Sequence, residues 1–288
     1  MITSVTQLIN TVKEDLQNWE EECRPWFRGE SGNQPALCPK IANYTYNQEN
    51  YLLQSFRRQA GGLANVPPRE HVDLWLFLAQ HYGVPTRLLD WTEGALHALY
   101  FAINRDNSYP RIYMLNPRKL NELAGLRTYS PNYPLSWIWG GGLYVSLAWQ
   151  NRKLDEGSKD FQIRNNLDLD IPIAFPATYQ DHRMIAQRSC FTIHGVSLKP
   201  IEDILKKKDI DVNGYLYKYE IDSKAKASLL KELSILGISA ATIFPDLDHL
   251  ALDLVSNAST FYQREISEGI SDMGLEKSGE DETLRWIG

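Results

Sequence analysis

The sequence contains few cysteines and no long apolar run, and these absences exclude several classes of protein. Its three cysteines, Cys23, Cys38 and Cys190, are an odd number and lack the paired spacing of a zinc site or a disulfide framework. The longest apolar run, residues 74–79, is far shorter than the roughly 20 residues that cross a bilayer, and the N-terminus has no basic, then apolar, signal pattern. We therefore expect a cytoplasmic protein with no membrane contact.

The sequence also lacks an excess of basic residues. Lys and Arg total 30 against 36 Asp and Glu, so the formal net charge is -6. A general nucleic-acid or membrane-surface binder needs clustered cations, so only a local basic groove is compatible with this balance. An RNA-binding or nuclease function is accordingly the least favoured reading.

Several catalytic motifs are missing as well. The six histidines show no HExxH spacing, which predicts no metal site, and no GxSxG elbow or Cys-His pairing marks a nucleophile. The glycines at 140–142 lack the Lys-Ser/Thr of a phosphate-binding loop. Any chemistry must come from other polar residues.

The apolar and polar residues alternate in patterns that predict a mixed α+β fold, with helices first and strands mixed with helices later. We expect a largely antiparallel, split β core flanked by helices. The predicted helices cover 4–22 (N-cap Ser4 or Thr6), about 51–59, 70–82, 93–104, 223–236 and 247–266. The predicted strands are 24–30, 86–90, 111–115 and the segments "IPIAFPA", "CFTIHG", "GYLYKYEI" and "SAATIFP".

No convincing linker divides the chain before residue 267. From there the sequence is polar, acidic and rich in Gly and Ser, which predicts a mobile tail over 267–288. We therefore expect one domain over 1–266, including the N-terminal helix, followed by that tail.

The stretch "AQHYGVPTRLLDWTEGALHALYFA", residues 79–102, places many ionisable groups between two apolar helices. Buried charge is costly unless paired, so this density predicts an ion-pair network or a site. His81, Arg87 and Asp90 are the candidate groups, and in a strand Arg87 and Asp90 would point to opposite faces.

Trp91 and Thr92 follow directly. Thr92 with Glu93 is typical of a helix N-cap and its acidic first turn, which is the more economical interpretation. For Trp91, as for His81, the alternative interpretation is a buried core residue with no role in ligand binding.

Two further segments carry polar residues suited to ligand binding. In "WFRGE", Arg28 either recognises a phosphate or ribose edge or pairs with a carboxylate such as Glu30 or Asp90, and Gly29 would let a ligand approach the backbone. In "DHRMIAQRSCFTIHG", Gln187 either reads a hydroxyl or amide or satisfies backbone groups at a strand edge.

Together, "WFRGE", the 79–102 stretch, "RMIAQRSCFTIHG" and "LGISAATIFPDLDHLA" resemble the FRG domain family, named for the Phe-Arg-Gly that stands here at residues 27–29. That family's pattern in turn resembles the ADP-ribosyltransferase fold, which uses NAD as a substrate. The resemblance implies that Arg28 and Gly29 contact NAD, with Arg87 and Trp91 completing the cofactor-binding side.

The resemblance also implies catalytic roles. Thr92 takes the place of a Ser or Thr beside the nicotinamide, Gln187 stands nearest to a late carboxylate, and His81 is the best proton carrier because an imidazole titrates near neutrality. A neutral amide at 187 departs from the pattern, since an oxocarbenium-like transition state is stabilised by fixed negative charge. Asp90 or Glu93 would then supply the charge.

The function implied is an NAD-using ADP-ribosyltransferase-like enzyme, of transferase or NAD glycohydrolase type, in a bacterial toxin or phage-defence effector. Its substrate is a small nucleotide and its acceptor a protein or nucleic acid. The alternative is a non-catalytic module that recognises a nucleotide or protein with the same pocket.

Overall fold

The computed structural model describes residues 1–19, 23–32, 37–64, 66–105, 109–126 and 167–258. The predicted tail over 267–288 and the glycines at 140–142 lie outside these residues. Within them the chain has an α+β fold, as the sequence predicts.

The strands of the described part form one six-stranded sheet with the order β4-β5-β2-β1-β3-β6, instead of the split core that we expected. Every paired strand is antiparallel. The strands β1 and β2 are the middle pair, so residues on them are flanked by other strands on both sides. The six strands are Trp26–Glu30, Leu88–Thr92, Arg111–Leu115, Ile173–Pro176, Ser189–Ile193 and Leu216–Glu220.

Helices flank this sheet and connect its strands. Described α-helices α1 to α9 are Val5–Gln17, Tyr46–Ala60, Val72–His81, Ala95–Ile103, Pro117–Leu123, His182–Ala186, Ile201–Lys207, Lys226–Ile235 and Ala240–Ile243. A further helical stretch, α10, covers 247–258. Short 3-10 turns occur at Lys40–Asn43, Val212–Gly214 and Ser223–Ala225.

Local signals account for several helix ends. The Ser4 hydroxyl accepts the backbone N–H of Gln7 and so caps α1, which decides between the two predicted caps. Gly83 and Gly237 follow α3 and α8 with φ of 80° and 78°, a left-handed conformation that glycine adopts at little cost.

Two local predictions are wrong. The segment "SAATIFP" forms the short helix α9 instead of a strand, because Ser239 and Thr242 make a reciprocal capping box. Thr92 is the last residue of β2, and Gly94 is the N-cap of α4. The Thr92 hydroxyl still accepts the Gly94 N–H at 3.1 Å, so it supports the turn without starting the helix.

The sheet separates two hydrophobic cores. Trp26 packs in one core with residues of α3, β4 and β5, whereas Phe27 packs in the other with α1 and α4. Adjacent strand residues point to opposite faces, which explains how neighbouring residues of β1 reach different cores. Helix α4 crosses β1 so closely that a Cβ on Gly29 would lie 1.9 Å from the Ala98 carbonyl oxygen.

Candidate functional site

Arg28 lies on a middle strand and is held by two hydrogen bonds. Its Nε donates to the Glu30 carboxylate at 2.8 Å, and its Nη1 donates to the backbone oxygen of Asp90 at 2.7 Å. The Asp90 carboxylate is also within 3.9 Å of Nη1. Among the described residues none hydrogen-bonds to Nη2, and the side chain is 22% exposed. The guanidinium is thus oriented while one edge faces solvent, and Arg28 is not sealed in a core.

Asp90 provides an accessible carboxylate beside this guanidinium. Its side chain is 58% exposed. The Gln80 amide donates to its Oδ2 at 3.0 Å, and the Thr86 hydroxyl in turn donates to the Gln80 carbonyl oxygen at 2.7 Å. This chain of hydrogen bonds fixes the orientation of a charge that water still reaches. Sequence reasoning did not identify Gln80, whose role depends on α3 packing beside β2.

Glu30 extends the cluster to the next strand. Its Oε2 lies 3.6 Å from the Arg111 Nη2, and the two residues are cross-strand neighbours between β1 and β3. Arg111 also donates to the Gly32 carbonyl oxygen at 3.1 Å. Two arginines therefore share one carboxylate, so the positive charge of Arg28 is only partly neutralised by Glu30.

Thr92 and Gln187 form a second cluster farther along β2. The Thr92 hydroxyl donates to the backbone oxygen of Gln187 at 2.7 Å, while the Gln187 amide donates to the Ile243 carbonyl oxygen at 3.3 Å. Thr92 stands two residues after Asp90, which in a strand is about 7 Å. Thr92 is the cross-strand neighbour of Phe27, so its side chain does not share a face of the sheet with that of Arg28, and the Gln187 amide is engaged with α9.

His81 and Glu93 each pair with a residue near α6. His81 Nδ1 lies 3.2 Å from the carboxylate of Asp181, the N-cap residue of that helix. Glu93 lies 3.4 Å from Arg188, whose φ of 49° is unusual for a residue other than glycine. The Glu93 side chain is 38% exposed, so it is the second accessible carboxylate next to Thr92.

Arg87 and Trp91 are occupied by structural contacts. Arg87 makes a bidentate ion pair with the buried Glu49 at 2.6 and 2.7 Å, and it donates to the Gly195 carbonyl. Burial raises the pKa of Glu49, and the guanidinium partly opposes this. The Trp91 indole donates to the Thr192 hydroxyl at 3.0 Å within the core. In this conformation neither side chain is placed to bind a ligand.

The glycine of the Phe-Arg-Gly motif has a structural explanation. The space beside its α-carbon is filled by the backbone of α4, with the Ala98 oxygen and the Ala102 nitrogen nearest. The close approach expected for a ligand at Gly29 is made by this helix. Gly29 therefore sets the distance between α4 and β1, which carries Arg28.

The side chain of His194, which follows β5, is fully buried, and this burial should make the free energy of unfolding depend on pH. Burial lowers the pKa of His194 to about 3, with the nearby Arg87 also opposing its protonation. Below pH 6.5 this histidine binds a proton in the unfolded state but not in the folded state. The free energy of unfolding therefore falls by about 1.4 kcal/mol for each unit by which the pH is lowered. We expect His194 to account for about 2 kcal/mol lost between pH 7 and pH 5.

Urea unfolding of the wild type and of His194→Leu at pH 7 and pH 5 measures this change in the free energy of unfolding. The loss between the two pH values should be smaller in the variant by that amount. Equal losses in the two proteins would show that His194 is not the group responsible.

Thiol and metal chemistry find no support in the described residues. Burial raises the pKa of the Cys23 thiol to about 11 and also raises the pKa values of Cys38 and Cys190, which suppresses the reactive thiolate. In this part of the chain no cluster of three or more His, Cys, Asp or Glu is arranged around a common metal position. Nor does any helix there combine the length and apolarity that a bilayer requires.

Comparison with known proteins gives one match. Residues 24–110 match the model of the FRG domain family. This range includes β1, α3, β2 and α4, and therefore Arg28, His81, Asp90 and Thr92. No curated protein and no solved structure matches the chain significantly.

Proposed function

We propose that the chain, whose residues 24–110 match the FRG domain family, binds NAD along β1 and β2 and transfers or hydrolyses its ADP-ribose group. The observation that carries the proposal is the pairing of Arg28, which two hydrogen bonds orient and which stays partly exposed, with the exposed Asp90 on the two middle strands. A buried ion pair would serve stability alone, whereas these two groups remain open to a ligand.

The roles follow from charge and position. The free edge of the Arg28 guanidinium suits the oxygens of the NAD diphosphate or ribose, because it offers two N–H donors in a fixed plane. Glu30 and the Asp90 backbone hold that plane, so little side-chain entropy is lost on binding. The Arg28 guanidinium is thus preorganised to bind an anion.

The reaction breaks the bond between the ribose C1′ and the nicotinamide nitrogen, which keeps the electron pair as nicotinamide leaves. Water or an acceptor hydroxyl then bonds to C1′ and loses a proton, for which His81 is the candidate base. Positive charge builds up on the ribose in the transition state. Asp90 and Glu93 are the carboxylates close to Thr92 that would stabilise it, since the Gln187 amide faces Ile243.

Removing the charge of Asp90 tests this assignment. Asp90→Asn retains an oxygen for the Gln80 amide but carries no charge, so we expect nicotinamide release to fall by about 10²- to 10³-fold. Asp248→Asn, an exposed substitution on α10, is the matched control and should leave the rate unchanged. Release is followed by chromatography with protein and nucleic-acid acceptors present, and label transfer is followed in parallel.

A second function, recognition of a nucleotide or protein without turnover, is favoured by one observation. The residue nearest to the expected late carboxylate is Gln187, and its amide is already bonded to Ile243. If the chain only recognises the nucleotide, we expect NAD to raise the melting temperature without release of nicotinamide. Absence of both effects would overturn the NAD proposal itself.

The biological setting proposed for the enzyme is a bacterial toxin or phage-defence effector, in which modification of a host protein or nucleic acid stops growth. The proposal rests on the implied reaction, because irreversible ADP-ribose transfer inactivates its target. Label transfer to cell extract, separated with and without nuclease treatment, distinguishes a protein acceptor from a nucleic-acid acceptor.

A further inference from the structure

A cleft separate from the Arg28 site lies beside helix α7. It has a volume of about 280 Å³ and is bounded by that helix, the segment after β5 and the segment before β4. None of the residues assigned to the NAD site lines it. Its lining residues are Asp170, Ser197, Lys199, Ile204, Lys207 and Lys208.

The walls of this cleft are tied to the rest of the fold. The Val196 N–H donates to the Leu169 carbonyl oxygen at 2.8 Å, which joins the two segments on either side. The Cys38 thiol donates to the Leu198 carbonyl oxygen at 3.2 Å, which connects the segment after β5 to a residue 160 positions earlier in the chain. Hydrogen bonds of residues outside the lining therefore fix the segments that border the cleft.

The charge lining the cleft is positive, in a protein whose net charge is -6. Lys208 pairs with Asp168 at 2.6 Å and lies 3.9 Å from Asp170. Lys199 and Lys207 are exposed and make no ion pair with any residue in the described ranges. The cleft thus presents two ammonium groups that are not neutralised by neighbouring carboxylates.

We propose that this cleft binds a small phosphate monoester. Lys199 and Lys207 would contact the phosphate oxygens, and the Ser197 hydroxyl would donate to them. The buried Ile204 supplies an apolar floor for the carbon part of the ligand. A volume just under the roughly 300 Å³ of the smallest typical ligand pockets fits a phosphate on one sugar ring and is too small for a dinucleotide such as NAD.

Titration calorimetry with ribose 5-phosphate tests the proposal, with ribose as the uncharged counterpart and chloride used to hold ionic strength constant. We expect saturable binding of the phosphate ester alone. The double variant Lys199→Ala, Lys207→Ala should bind at least about tenfold more weakly, because two charge-assisted hydrogen bonds are lost. Lys206→Ala is the matched control, since Lys206 lies on the same helix but does not line the cleft.

Asp170→Asn provides a test with the opposite sign. Loss of the one carboxylate in the lining should tighten binding by about threefold or more, because like-charge repulsion of the phosphate is removed. No saturable binding, or equal weakening by Lys206→Ala and by the double variant, would overturn the proposal. Since Arg28 is not involved, Arg28→Ala should bind ribose 5-phosphate as the wild type does, whatever the outcome with NAD.

Discussion

Replacing Arg87 with alanine is expected to lower the free energy of unfolding by about 3–5 kcal/mol, because Glu49 would be left as an unpaired buried charge. Arg87 is 7% exposed and Glu49 only 1%. The pair joins α2 to the segment just before β2, and Arg87 also bonds the Gly195 carbonyl, so its loss loosens three parts of the chain.

Urea unfolding followed by tryptophan fluorescence measures this loss. The control is Lys218→Ala, which breaks the exposed Lys218–Glu220 pair and should cost about 0.5 kcal/mol. Replacing both buried partners, as Glu49→Leu with Arg87→Met, should restore much of the stability. A loss below about 1 kcal/mol in Arg87→Ala would contradict a buried structural role.

The second large effect is expected at Gly29. A Cβ added there would lie 1.9 Å from the Ala98 oxygen and 2.7 Å from the Ala102 nitrogen, both of which belong to the backbone of α4. Backbone cannot rotate away as a flexible side chain can, so helix and strand must separate. We expect Gly29→Ala to lose about 3 kcal/mol or more, at the upper end of the cost of overpacking.

Gly214→Ala is the matched control for this prediction. A Cβ at Gly214 meets nothing within 4 Å, so the same chemical change should alter stability by less than about 1 kcal/mol. Circular dichroism during thermal unfolding compares the two variants. If Gly29→Ala were as stable as Gly214→Ala, the packing explanation for the motif's glycine would be wrong.

The sequence predicts those parts of the fold that depend on neighbours in the chain. Strand β3 occupies the predicted residues 111–115, and the left-handed glycines Gly83 and Gly237 end the predicted helices. Hydrophobic periodicity and cap chemistry act over a few residues, so they can be read directly. Where local signals compete, as at Ser239, the capping box outweighed the β-branched composition.

The site is harder to predict from the sequence than the fold, because its contacts join residues that are far apart in the chain. Glu49 is 38 residues from Arg87 and lies on a polar helix where nothing in the sequence distinguishes it from its exposed neighbours. The Gln80–Asp90 bond depends on how α3 packs beside β2. The sequence therefore identified Arg28 and Asp90 as candidates, whereas the separation of Arg87 and Trp91 from them required the structure.

The division between structural and ligand-binding groups also explains the density of polar residues over 79–102. Thr86 and Gln80 orient Asp90. Arg87 forms a buried ion pair with Glu49, and Thr92 supports the turn into α4. The two carboxylates Asp90 and Glu93 remain substantially exposed there, as do the side chains of His81 and Tyr82. Most of the polarity thus serves to position a few accessible groups.

Calorimetric titration of NAD into the wild type and into Arg28→Ala determines whether Arg28 binds the dinucleotide, with Arg58→Ala on α2 as the exposed-arginine control. We expect saturable binding to the wild type and to Arg58→Ala, and affinity at least about tenfold weaker for Arg28→Ala because its charge-assisted bonds to the ligand are lost. No binding to the wild type, or equal affinity for all three proteins, would contradict it.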